Sequence, residues 1–131
     1  MHTVETKILA VDDDRIVRRI VVAKLTGLGY EVAEAEDGRE ALDLLEGGAV
    51  LDLLITDSLM PRISGLELVR SVRNSKNSTV ASLPVIMLTS RQGERDVVDG
   101  LETGLDDYVT KPFSPDELAA RVRMALWRAR R

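Results

Sequence analysis

Several positions along the chain carry side chains that together could transfer a phosphoryl group. Asp12–Asp14 follow an apolar segment at 7–11, and Asp57, Thr89 and Lys111 each follow or end a later one. A carboxylate nucleophile, oxygen ligands for a hard cation, a hydroxyl donor and an ammonium suit phosphoryl transfer to an aspartate. Adjacent carboxylates repel one another, and a bound cation such as Mg2+ would offset that repulsion.

Short apolar runs rich in valine and isoleucine predict the strands of the fold. They lie at 7–11, 31–35, 51–56, 84–89 and 107–110. Amphipathic stretches between and after them predict helices, because apolar residues recur there at steps of three and four. These stretches are 15–28, 38–46, 65–73, 93–103 and the segment from 115 onward. The polar segment 74–83 is predicted to be a long surface loop.

Helix signals are clearest at two places. In 15–28 the predicted buried stripe is Val17, Val21, Leu25 and Leu28. In the last helix, Ser114 is the predicted N-cap, and Glu117 three residues later completes a capping box.

Alternating strands and helices predict an α/β fold with a parallel sheet covered on both faces. Ligands of such sheets bind beyond the carboxyl ends of the strands. The aspartates, Thr89 and Lys111 follow or end four different strands, so we expect them to converge at that edge.

The composition limits the function classes. The chain has 131 residues, 44% of them hydrophobic, and a formal net charge of -4, which fits one globular domain. It has no cysteine, which excludes disulfides, thiol catalysis and cysteine-bound zinc. We find no signal peptide and no run long enough to cross a membrane, so we expect a cytoplasmic protein. The arginine-rich end is interpreted as a solvated helix face and a linker, without direct nucleic-acid binding.

The motifs VDDD, ITDSLMPRISGLEL, VIMLTS and DDYVTKPFSPDEL resemble those of response-regulator receiver domains of two-component signalling. The resemblance implies a single domain over 1–131 with a core at about 7–127. A flexible N-terminus would occupy 1–6, and 128–131 would be a basic tail or the start of a linker. The implied fold is a doubly wound (βα)5 flavodoxin-like sandwich with a five-stranded parallel sheet of order 2-1-3-4-5.

The resemblance also implies roles for the residues at the strand ends. Asp57 would be the phosphoacceptor, assisted by Lys111 and Thr89. Mg2+ would be the cofactor, with ligands of three kinds: the carboxylates of Asp13 and Asp57, Asp12 through water, and the backbone carbonyl of Leu59.

Further implied roles concern the switch and the local backbone. Thr89 and Tyr108 would change position on phosphorylation. Pro112 would follow a cis peptide bond, which is essentially a proline feature. Pro61 and Gly65 fit the loop after Asp57, where glycine can take a positive φ.

The implied function is a regulatory switch and not an enzyme. A histidine kinase or phosphotransfer protein would supply the phosphoryl group from phosphohistidine. The chain would assist its own phosphotransfer and also its own dephosphorylation, which would be slow. Its change of conformation would regulate an output domain or a downstream protein.

The segment 100–123 is similar to receivers of the winged-helix transcription-factor subfamily, which pair through the fourth helix, fifth strand and fifth helix. Asp107, Glu117 and Arg121 fit that pattern. Val97 and Asp99 stand where the subfamily carries arginines. A phosphorylation-dependent homodimer would therefore be weakened or built differently here.

Two alternatives compete with this interpretation. A haloacid-dehalogenase-like phosphatase would use Asp12 as nucleophile and Asp14 as general acid, but the chain is short for that class. The aspartate pair 106–107 also precedes Lys111 instead of following it, and Asp57 is left without a role. A flavodoxin-like binding module would need a phosphate loop after the first strand and aromatic residues around a flavin, and the sequence lacks both.

Overall fold

The computed structural model describes residues 5–90, Val98, Glu102 and 104–130. The strands are β1 (Lys7–Val11), β2 (Glu31–Ala35), β3 (Leu53–Asp57), β4 (Val85–Thr89) and β5 (Asp107–Thr110). The helices of the described residues are α1 (Arg15–Gly27), α2 (Gly38–Glu46), α3 (Gly65–Arg73), the one-turn α4 (Ser78–Ala81) and α5 (Pro115–Arg130). The predicted strands are thus confirmed, with shifts of one or two residues at the ends of β3 and β4.

The strands form one parallel sheet in the order β2-β1-β3-β4-β5, which confirms the predicted topology. Every neighbouring pair is parallel, so each connection must cross from one end of the sheet to the other. The strand order reverses beside β1, which pairs with β2 on one side and with β3 on the other. The crevice between the ends of β1 and β3 is the place where such folds bind ligands.

Alternation along the buried strands divides the core into two layers. In β1, Ile8 and Ala10 belong to the layer under α1 and α5, whereas Leu9 and Val11 belong to the layer under α2 and α3. Successive side chains of a strand point to opposite faces, so a continuously apolar strand must be covered on both. This double covering confirms the predicted sandwich.

The segment 74–83 lies at the surface, as its polar composition predicts, but it is not a loop throughout. Asn77 caps the one-turn helix α4, its side-chain oxygen accepting hydrogen bonds from the amides of Thr79 and Val80. Leu83 is 3% exposed and lies in the layer under α2 and α3. The one-turn helix and the buried leucine were not predicted, because neither gives a periodic signal among polar residues.

The helix predicted over 93–103 lies outside the described residues except for Val98 and Glu102. At the end of the chain, α5 continues to Arg130, whose guanidinium donates a hydrogen bond of 2.7 Å to the Thr6 hydroxyl. Among the helices that the structure describes, none is both long and apolar enough to cross a membrane.

Gly65 lies at the start of α3, directly behind Asp57. A Cβ atom at this position would lie 2.2 Å from the backbone oxygen of Asp57, which is far inside van der Waals contact. The sequence suggested a glycine with positive φ in this loop, but the residue with positive φ is Arg62, at 69°. Gly65 is therefore required by close packing of two backbone segments and not by an unusual dihedral angle.

Arg73, the last residue of α3, links the loop that precedes β4 to the loop that precedes β5. Its guanidinium donates hydrogen bonds to the backbone oxygens of Ala81, Leu83 and Gly104. It also pairs with Asp106 at 2.9 Å, and the same carboxylate oxygen accepts the Val85 amide. One side chain thus holds the entry to β4 and the entry to β5 together.

Replacing Gly65 by alanine should destabilise the protein by at least about 2 kcal/mol, because the new methyl group must displace main chain. Gly27→Ala is the matched control, since a Cβ there meets nothing within 4 Å. That control should be neutral or stabilising by about 0.5 kcal/mol. Urea unfolding measures both, and equal midpoints for the two variants would contradict the packing argument.

Arg73→Ala should cost about 2 kcal/mol, because backbone oxygens lose charge-assisted hydrogen bonds. Arg70→Ala is a suitable control, since Arg70 is an exposed arginine of the same helix, and it should change the free energy of unfolding by at most about 0.5 kcal/mol. Indistinguishable losses in the two variants would show that the links to the loops contribute nothing.

Candidate functional site

The carboxyl ends of β1, β3 and β5 bring three of the predicted site residues into direct contact. The Lys111 ammonium lies 3.0 Å from Asp12 Oδ2 and 3.0 Å from Asp57 Oδ1. Asp12 follows β1 and Asp57 ends β3, and these two strands are neighbours in the sheet. Lys111 follows the edge strand β5 and reaches the pair with its long side chain.

Asp12 is held by several hydrogen bonds. It is 2% exposed, and its backbone amide donates to the Ala35 oxygen at 3.2 Å. Its Oδ1 accepts the amide of Asp14, and its backbone oxygen accepts the Arg18 guanidinium at 2.7 Å. The carboxylate is therefore fixed in place before any ligand arrives.

Asp57 is a buried carboxylate whose proton affinity is increased. It is 7% exposed. Its pKa is raised from 3.8 to about 6, first by burial and then by the charge of Asp12. Hydrogen bonds from Lys111 and from the Ser58 amide, which is 2.9 Å from Oδ1, act the opposite way. Repulsion and desolvation thus outweigh the single ammonium.

Lys111 remains a cation at this site. Burial by itself would lower its pKa, but hydrogen bonds and charge attraction from Asp57 and Asp12 are stronger together, so the pKa is raised. A permanent ammonium between two carboxylates can neutralise one of them and also meet a phosphoryl oxygen.

The donor set fits a hard divalent cation. Carboxylate oxygens of Asp12, Asp13 and Asp57 lie within 4.8 Å of one another. The three carboxylates and the Lys111 ammonium leave two negative charges without a partner in the cluster. Mg2+ prefers such oxygens and keeps several waters, which the exposed side of Asp13 can accommodate.

Asp14, the third member of the opening run, has a structural task. Its side chain accepts hydrogen bonds from the backbone amides of Ile16 and Val17, which makes it the N-cap of α1. A carboxylate at this position also meets the positive end of the helix. This arrangement makes Asp14 the cap of α1.

The remaining predicted residues lie on β4 and β5 and in the segments that follow β3 and β5. Thr89 ends β4, is 2% exposed, and donates its hydroxyl to the Ser90 backbone oxygen at 3.2 Å. Tyr108 lies in β5 and is 40% exposed. Leu59 is 54% exposed, two positions after Asp57. The Lys111–Pro112 peptide bond is cis.

The charged residues that fit the dimerisation pattern form ion pairs with one another within the chain. Arg121 lies 3.1 Å from Asp107 and 3.7 Å from Glu117. All three are at least partly accessible on α5 and β5. Val97 and Asp99 lie outside the described residues.

Arg18 contacts the site although sequence reasoning did not single it out. Val21 and Leu25 of the predicted α1 stripe are buried and Val17 packs partly buried against the same core, whereas Leu28 is 46% exposed. The further buried residue of this helix is Arg18. The signal was available, because positions 18, 21 and 25 also follow helical spacing. A charged residue on such a stripe is easily taken for part of the solvated face.

The raised pKa of Asp57 gives a pH dependence with a defined sign. Between pH 3.8 and about 6 the folded state binds the Asp57 proton more tightly than the unfolded chain does, so stability falls as pH rises. Asp57→Asn removes this term. In EDTA, the variant should gain stability over the wild type through this window, reaching about 3 kcal/mol at neutral pH. Urea unfolding at several pH values measures the difference, and parallel curves would contradict it.

Comparison with known proteins agrees with the geometry of the site. The family model of the response regulator receiver domain matches residues 8–123. The response regulator MprA of Mycolicibacterium vanbaalenii is 46% identical over 122 residues, which are 93% of this chain and 51% of that protein. MprA of Mycobacterium avium is 44% identical over 95% of this chain and 52% of its own length. The chain thus spans about half the length of these curated relatives.

Solved structures give the same result. The chemotaxis response regulator CheY4 of Vibrio cholerae has a TM-score of 0.84 and 35% identity, covering 93% of this chain and 99% of that one. The receiver domain of a Francisella response regulator has a TM-score of 0.82 and 34% identity over 95% of this chain and 98% of its own.

These findings decide between the alternatives. The haloacid-dehalogenase interpretation is not supported, and its general acid, Asp14, is the cap of α1. The family match, the relatives and the solved neighbours are response regulators or their receivers. The chain therefore belongs to the response regulator receiver domain family, whose members are phosphoacceptor switches of two-component signalling.

Proposed function

We propose that Asp57 is the residue that accepts the phosphoryl group, from the phosphohistidine of a histidine kinase or of a phosphotransfer protein. The supporting observation is its buried carboxylate, 3.0 Å from the Lys111 ammonium and grouped with Asp12 and Asp13. The alternative nucleophile, Asp12, is engaged through both carboxylate oxygens, by the Asp14 amide and by Lys111.

The reaction exchanges one phosphorus bond for another. An Asp57 oxygen attacks phosphorus in line, the P–N bond to the donor imidazole breaks, and the imidazole keeps the electron pair and takes up a proton. Both hydrogen bonds described for this carboxylate, from Lys111 and the Ser58 amide, go to Oδ1. Oδ2 is therefore our proposed attacking oxygen.

The proposed cofactor is Mg2+, held by Asp13 and Asp57, by Asp12 through water, and by the backbone carbonyl of Leu59. When bound, it supplies positive charge for the phosphoryl oxygens. Lys111 supplies the second positive charge from the end of β5. Asp12, fixed by its hydrogen bonds, keeps Lys111 directed at the same point.

The proposed switch uses Thr89 and Tyr108. The Thr89 hydroxyl bonds the Ser90 backbone oxygen, and a phosphoryl group on Asp57 would offer it a charged acceptor instead. Tyr108, 40% exposed on β5, would then move inward. Phosphorylation would shift an existing equilibrium between two conformations and would not create a new one.

The proposed partners are the phosphodonor protein and an output domain or downstream protein. The proposal places the exchange in the cytoplasm, without contact of this domain with membrane or nucleic acid. The chain would assist its own phosphotransfer and also its own dephosphorylation, which would be slow. It would turn over no other substrate. Any homodimer through β5 and α5 would have to compete with the pairs that Arg121 already forms with Asp107 and Glu117.

Incubation with Mg2+ and acetyl phosphate tests this proposal directly. Intact mass should increase by one phosphoryl group, and mapping should place it on Asp57. Asp57→Asn should abolish labelling, because an amide does not form the acyl phosphate, while the fold remains intact. Asp43→Asn, which changes an exposed carboxylate of α2, is the matched control and should label normally.

Labelling on Asp12, or consumption of the donor without a retained phosphoryl group, would contradict the proposal. So would normal labelling of Asp57→Asn. Omission of Mg2+ should reduce the rate strongly in the wild type, and an unchanged rate in EDTA would remove the cation from the mechanism.

A further inference from the structure

Arg18 is an arginine placed where α1 faces the core. The residue is 9% exposed, whereas Arg15 and Arg19 on the same helix are exposed. A buried guanidinium is costly unless its donors are satisfied. Its contacts should therefore reveal what it does.

Those contacts connect the aspartate cluster to the neighbouring strand. One terminal nitrogen of Arg18 donates to the backbone oxygen of Asp12 at 2.7 Å. Nε donates to Glu34 Oε1 on β2 at 3.0 Å. Glu34 has a side chain that is 46% exposed, so it holds the guanidinium from the solvent side.

The Asp12 oxygen belongs to the peptide unit that leads to Asp13. A peptide unit is planar, so holding its oxygen fixes the plane and limits where the Asp13 Cα and Cβ can lie. Asp13 is exposed, although its carboxylate belongs to the cluster within 4.8 Å. The Asp14 cap fixes the chain on the other side of Asp13.

We infer that Arg18 is a positioning residue that holds the Asp12–Asp13 peptide so that Asp13 meets the cation, and that Glu34 orients Arg18. This inference rests on the proposed function, since it assigns a task to Arg18 only if the carboxylates bind Mg2+. Groups that orient metal ligands affect metal affinity without touching the ion. Arg18 acts here through the backbone of a ligand.

Charge alone gives a different expectation. If Arg18 acted only as a nearby positive charge, Arg18→Lys would behave as the wild type and Arg19→Gln would resemble Arg18→Gln. A lysine cannot bond the Asp12 oxygen and Glu34 in the same fork geometry. Glu34→Ala removes the orienting group and also makes the site more positive, so charge alone would weaken Mg2+ binding in this variant. Glu34→Gln makes the same change of charge but keeps an acceptor for Arg18, so the two variants together separate orientation from charge.

The experiment is an NMR titration of 15N-labelled protein with MgCl2 at constant ionic strength, which reads Mg2+ binding without phosphorylation. Arg18→Gln should weaken Mg2+ binding about tenfold or more, and Arg18→Lys should lie between it and the wild type. Arg19→Gln should change the Kd by at most about twofold, since exposed charges are screened. Glu34→Ala should weaken binding measurably, and Glu34→Gln should stay close to the wild type.

Phosphorylation by acetyl phosphate separates positioning from general damage. In Arg18→Gln the Mg2+ concentration for half-maximal rate should rise, while the rate at saturating Mg2+ should stay near that of the wild type. A lower maximal rate with unchanged Mg2+ dependence would overturn the inference. If Arg18→Gln does not fold, Mg2+ binding by the two Glu34 variants tests the inference instead. The Glu34 side chain is half exposed, so its replacement should leave the fold intact.

The outcomes separate this inference from the proposed function. Suppose that the wild type binds Mg2+ and is labelled on Asp57. If Arg18→Gln, or both Glu34 variants, then bind Mg2+ within about twofold of the wild type, the inference is refuted and the proposed function stands. A wild type that neither binds Mg2+ nor becomes labelled would refute both.

Discussion

Two buried carboxylates share one ammonium at the edge of the sheet, and the rest of the site depends on this contact. Asp12 and Asp57 both reach Lys111 at 3.0 Å, and burial together with the charge of Asp12 raises the pKa of Asp57 to about 6. One ammonium cannot neutralise these two carboxylates together with the nearby carboxylate of Asp13. The site is therefore built to hold more negative charge than its own side chains balance, which is the condition for binding a cation and, with it, a phosphoryl group.

The fold supplies this contact through strand order. β1 and β3 are neighbours only because the chain reverses its direction of winding after β2, and the reversal brings Asp12 beside Asp57. Gly65 lets α3 begin directly against the Asp57 backbone, and Arg73 ties the entries to β4 and β5 together. Backbone packing behind the site thus fixes the positions from which its side chains reach one another.

Much of this could be predicted from the sequence, because continuous apolar runs and helical spacing are strong signals. The strands and the convergence of Asp12, Asp57 and Lys111 followed from them, and the sheet order followed from the family resemblance. The one-turn helix and the buried Leu83 within 74–83 could not be predicted, since one buried leucine and an asparagine cap leave no periodic pattern. Arg18 was missed although positions 18, 21 and 25 follow helical spacing, because a charged residue on such a stripe is easily taken for part of the solvated face.

Urea unfolding in MgCl2, against NaCl of equal ionic strength, tests most directly whether the uncompensated charge of the cluster binds a divalent cation. A cation that binds only the folded state raises the free energy of unfolding in proportion to the logarithm of its concentration once the site is saturated. The charge balance predicts such a rise in the wild type and its loss in Asp13→Asn. Identical unfolding curves in the two salts would contradict it.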